Sequence, residues 1–72
     1  MEALTIGHLI RQKRESLGHT QTKLAHDLSW DAAKLCRIER GERTPSVADL
    51  RQVCLHLGID RVLAMDLAAG DV

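Results

Sequence analysis

The sequence predicts an all-α fold, a compact bundle of five short helices, and three observations carry that prediction. Apolar residues make up 44% of the chain with a single aromatic, Trp30, so the core must be built from Leu, Ile, Val and Ala. That composition suits packed helices better than a sheet, which would want more Val, Thr, Tyr and Phe. Apolar positions recur at three- and four-residue intervals in short blocks, the period of an amphipathic helix. The blocks are opened by Thr, Asp or Ser, and all but the second are closed by Gly, which are the residues that start and stop helices. The 72 residues make one domain, spanning 1–72, near the lower size limit for folding without a staple or a partner. Dimerisation is a natural further source of stability for so small a core.

The first helix is marked by Ile6, Leu9, Ile10, Lys13 and Leu17, with Thr5 as its N-cap and Gly18 as its stop. Thr20 caps a second helix in which Leu24, Ala25 and Leu28 share one face. It is short, because Ser29-Trp30-Asp31 has no continuing period and supplies two good turn or cap residues. Asp31 then caps a third helix, with Leu35 and Ile38 one turn apart and Gly41 at its end. Glu42 to Pro45 reads as a loop. Ser46 caps a fourth helix, with Val47, Leu50, Val53, Cys54 and Leu57 inward, and Gly58 closes it. Asp60 caps a fifth, at about residues 60–69, running through Val62, Leu63, Met65 and Leu67 before Gly70. No linker or repeat fits between these elements.

Charge narrows the function classes less than its distribution does. The formal net charge is zero, but Met1 to Arg43 carries eight Lys and Arg against six Asp and Glu. Thr44 to Val72 carries two basic residues against four acidic ones. Between Lys34 and Arg43 four basic residues face only Glu39 and Glu42, a local basic surface on a neutral protein. No apolar run approaches the ~20 residues of a membrane span, and the stretch from Ala3 to Ile10 is broken by Thr5, Gly7 and His8, unlike a signal peptide. The expected setting is cytoplasmic. Cys36 and Cys54 stand apart, with no C-x-x-C and no metal-ligand spacing to the four histidines. Both read as packed, reduced thiols. Neither a cofactor nor a metal is expected. An enzyme is the weakest reading, since the chain has no Gly-rich phosphate loop and no paired nucleophile and base.

Chemistry concentrates between Gln21 and Arg40. Leu24, Leu28, Trp30, Leu35 and Ile38, with the small Ala25, fit two short helices crossing steeply through a three-residue turn. The second helix passes close over Ala25, and Trp30 tucks from the turn into the core. The chain here resembles the helix-turn-helix domain of the Cro/C1 repressor family, also called the Xre family, whose fold is of the lambda-repressor-like type. The resemblance runs from about Ile6 to Leu57, the core of the domain, and lies in "IGHLIRQKRESLGHTQTKLA", "LCRIERGERTPS" and "LRQVCLHLGI".

The resemblance implies a role for each matching residue. Gln21, at the start of the second helix, would hold a DNA phosphate with its amide and the helix N-terminus. The exposed side of the third helix would enter the major groove, with Ala32, Ala33, Lys34 and Arg37 facing the bases. Arg40 and Arg43 would lie near the phosphate backbone. Arg14 and Glu39 resemble a buried structural ion pair. Ser29 stands where the family usually has glycine, because the chain is left-handed there; serine costs about 1 kcal/mol at such a position. The two alanines offer no hydrogen bonds to base edges, so direct reading falls mainly to Lys34 and Arg37, which favour guanine O6 and N7.

The leading expectation is therefore a sequence-specific DNA-binding regulator of transcription, a homodimeric repressor or controller on a palindromic operator. Val62, Leu63, Met65 and Leu67 exceed what one helix buries against so small a core, which makes the fifth helix, with the end of the fourth, the expected dimer interface. A second reading makes the domain an antitoxin or other interaction module that binds a partner protein such as a toxin. The neutral charge and the two alanines support it.

Overall fold

The protein is described here by a computed structural model over residues 5–70. Five helices follow one another: α1 (Ile6–Ser16), α2 (Gln21–Asp27), α3 (Ala32–Glu39), α4 (Val47–Leu57) and α5 (Arg61–Gly70). The fold is all-α, as the composition and period predict.

Each start is chemically marked. The side chains of Thr5, Thr20, Asp31 and Ser46 accept hydrogen bonds from the backbone N–H groups of His8, Lys23, Lys34 and Asp49. Each bond satisfies a donor that the first helical turn leaves open. At α4 the bonding is reciprocal, because the Asp49 carboxylate also accepts from the Ser46 N–H at 3.1 Å, a capping box. Asp60 Oδ1 accepts from Val62 N at 2.9 Å and starts α5. Gly58 ends α4 at φ 70°, where a Cβ would be strained.

The α2–α3 pair packs together, α4 packs on α5, and α1 touches α3, α4 and α5. Ile6, Ile10, Leu24, Leu35, Ile38 and Val53 are the largest fully buried side chains. The core continues beyond Leu57 into Ile59, Ala64 and Ala68. Thus α5 docks through its alanines, with Leu67 half-buried, and keeps Val62, Leu63 and Met65 outside. Two expected core positions lie at the surface. Val47, the first residue of α4, is 59% exposed, and Leu17, the C-cap of α1, is exposed as well. Gly7 lets α1 come close to α3: a Cβ there would run into the backbone carbonyl of Ile38 at the end of α3. Among the described residues no helix is long and apolar enough to cross a membrane.

Candidate nucleic-acid interface

The turn between α2 and α3 is built by backbone geometry. Trp30 N–H donates to Ala25 O at 2.8 Å, and Ser29 N–H donates to His26 O at 3.0 Å. These are the two bonds of a Schellman motif, which requires a left-handed residue between them. Ser29 takes that conformation, at φ 59°. Trp30 does not enter the core: it is half-buried against the core edge, and its indole N–H donates to Gln52 Oε1 at 3.2 Å. Gln52 Nε2 in turn donates to Leu28 O at 3.2 Å, so α4 grips the turn at two points. This placement gives the polar indole nitrogen its acceptor in Gln52 while the ring stays against the core edge.

A second anchor lies beneath α3. Arg14 Nε donates to Glu39 Oε2 at 2.8 Å and Nη2 to Glu39 Oε1 at 3.1 Å, a bidentate pair with both residues buried. Arg14 Nη1 also donates to His19 O at 2.7 Å. The hydrogen bonds to Glu39 hold the guanidinium above its ordinary pKa against the opposing effect of burial. Gln21 Nε2 adds a third donor to Glu39, at 2.9 Å from Oε1. Gln21 is half-buried at the first position of α2, its amide fixed in place at the helix start. The carboxylate of Glu39 thus ties α1, α2 and α3 together.

With Leu35, Ile38 and Glu39 turned inward, the outer side of α3 presents Ala32, Ala33 and Arg37, with Arg40 at the C-cap. All four are exposed. Arg37 has no side-chain hydrogen bond or ion pair among the described residues, whereas Arg40 Nη1 lies 3.6 Å from Glu42 Oε2. Arg43 is exposed in the loop that follows. Cys36 is half-buried on the flank of this face, not packed inside as expected; Cys54 is buried, and burial raises its thiol pKa.

Lys34 stands differently from the other expected readers. Its side chain is only 22% exposed, with Nζ 2.9 Å from Asp49 Oδ1 and 4.3 Å from the centroid of the Trp30 ring. It lies along the seam between α3 and α4 and does not project outward. Burial disfavours the charged form of Asp49, yet hydrogen bonds from Lys34 and Ser46 outweigh it and hold the carboxylate below its ordinary pKa. Asp49 and Gln52 escaped the sequence reading. The Ser46-x-x-Asp49 spacing signals the capping box, but its second partner across the fold has no local signature.

Two short helices locked at this turn, with a basic outer face on the second, define a helix-turn-helix DNA-binding module. Residues 5–67 match a family described as "Helix-turn-helix domain". The match covers most of the chain, and the protein belongs to that family, in agreement with its Cro/C1-type resemblance. No curated protein and no solved structure matches it. The domain supports DNA binding and a regulatory role, and the family is typically non-enzymatic.

Proposed function

We propose that the protein is a sequence-specific transcriptional regulator, a repressor or controller that binds a palindromic operator as a homodimer. The observation that carries the reading is the outer face of α3. Ala32 and Ala33 keep it low enough for the helix to sit close to base edges, and Arg37 stands free to reach guanine O6 and N7. Gln21, Arg40 and Arg43 flank that face and would meet phosphates, which fix register without carrying sequence information. Leu55, 88% exposed on α4 beside Arg61 at the start of α5, favours a second reading in which this surface takes a partner protein.

Selection of bound sites from a random duplex pool at physiological salt tests the proposal. The expected result is enrichment of two-fold symmetric sites with half-sites ~34 Å apart. Arg37→Ala should then weaken binding to the selected site by roughly 5- to 150-fold, the worth of one bidentate base contact. The same change should leave the melting temperature unchanged, because Arg37 makes no side-chain hydrogen bond or ion pair among the described residues. A pool that enriches nothing, together with co-purification of a neighbouring gene product, would move the function to the partner protein.

A further inference from the structure

We propose that Asp49 withholds Lys34 from DNA and so decides which cation of α3 meets the nucleic acid. The inference rests on the DNA-binding reading above and concerns the same face. Lys34 belongs to the helix that would lie in the groove, and its four-carbon stem is long enough to swing outward. In the structure its ammonium is instead held at 2.9 Å by Asp49 Oδ1 and lies over the Trp30 ring. Neither end of that contact is loose. Asp49 Oδ2 accepts from the Ser46 N–H, which fixes the carboxylate in the first turn of α4, where the helix dipole favours a negative charge. The Trp30 indole is fixed by Gln52 of the same helix.

Moving Lys34 to a phosphate or a base would leave the Asp49 carboxylate, 11% exposed, without its cation, and a buried charge that loses its partner is costly. The DNA competes for Lys34 with a fixed internal anion. For Arg37 there is no such competitor among the described residues. Asp49 is in this sense a positioning residue: it touches no DNA, and it removes one cation from the interface.

Asp49→Asn tests this directly, because asparagine keeps an oxygen to accept from Ser46 N–H and loses the charge that holds Lys34. Asp49→Ser, which also keeps an acceptor, serves as the second variant if the first does not fold. The probes are the selected operator and a duplex of random sequence, titrated over a range of salt. The expected result is tighter binding to both duplexes and a log–log salt slope steeper by about 0.9, the increment of one added phosphate contact. Lys34→Ala should cancel that gain in the Asp49→Asn background and cost far less affinity in the wild-type background, a non-additivity that a double-mutant cycle reads directly. A merely structural role for Asp49 would move the melting temperature and leave the slope alone. An unchanged slope in Asp49→Asn on DNA that the wild type binds would overturn the inference while leaving the DNA-binding reading intact. So would a slope flattened by about 0.9 in Lys34→Ala alone. Absence of all DNA binding by the wild type would overturn both.

Discussion

Glu39 receives three side-chain donors, two from Arg14 and one from Gln21. A buried carboxylate with that many donors is stable as long as its cation stays, and removing one member strands the other. Glu39→Gln keeps the shape and deletes the charge, leaving the Arg14 guanidinium buried beside a neutral amide. The expected loss is ~3–5 kcal/mol, a large share of the ~5–15 kcal/mol that holds a typical domain. Urea denaturation should show it as a fall in midpoint. Replacing both residues by apolar ones of similar volume, Arg14→Met with Glu39→Leu, should recover part of the loss. An unchanged midpoint in the single variant would mean that the pair contributes specificity and no stability.

Elements in this fold meet through small residues at defined points, and here the sequence is legible to different depths. Helix existence and caps were readable because Thr5, Thr20, Asp31 and Ser46 act on backbone three residues away. The left-handed place of Ser29 followed from the family resemblance. Contacts that join distant segments were not readable: Lys34 with Asp49, Trp30 with Gln52, and Gly7 against α3 are set by how helices cross, which no local pattern records. Gly7 makes the point energetically. In an isolated helix Gly→Ala gains about 1 kcal/mol. Here the new methyl would meet the Ile38 carbonyl, a backbone atom that cannot rotate away. Gly7→Ala should therefore destabilise by ~1–3 kcal/mol, the usual cost of overpacking. Thermal melting that moved upward would show that α1 can slide off α3 without penalty.

At the scale of the whole molecule, size bears on the proposed dimer. The described chain measures 27 × 23 × 21 Å, less than the ~34 Å between successive major-groove faces on one side of DNA. On the proposed palindromic operator one copy would reach one half-site, and a second copy would read the next. The apolar side chains that α5 leaves outside, Val62, Leu63 and Met65, favour that helix as the place of contact. Because α5 docks on its own core through Ala64 and Ala68, Val62→Glu with Met65→Glu should leave the fold intact. Sedimentation equilibrium should then report a dimer for the wild type and a monomer for the variant, with weaker operator binding. Identical masses for the two proteins would remove α5 from the interface.

Trp30 is the single aromatic residue in the chain, and it sits in the turn, beneath the Lys34 ammonium and bonded to Gln52. The intrinsic fluorescence and near-ultraviolet dichroism of this protein are therefore single-site signals. They report how the α2–α3 turn is held on α4, with no background from elsewhere in the fold. A titration followed by emission thus watches the turn that joins α2 to α3, while far-ultraviolet dichroism follows the helices as a whole. Any separation between the two curves measures local loosening of the turn ahead of global unfolding.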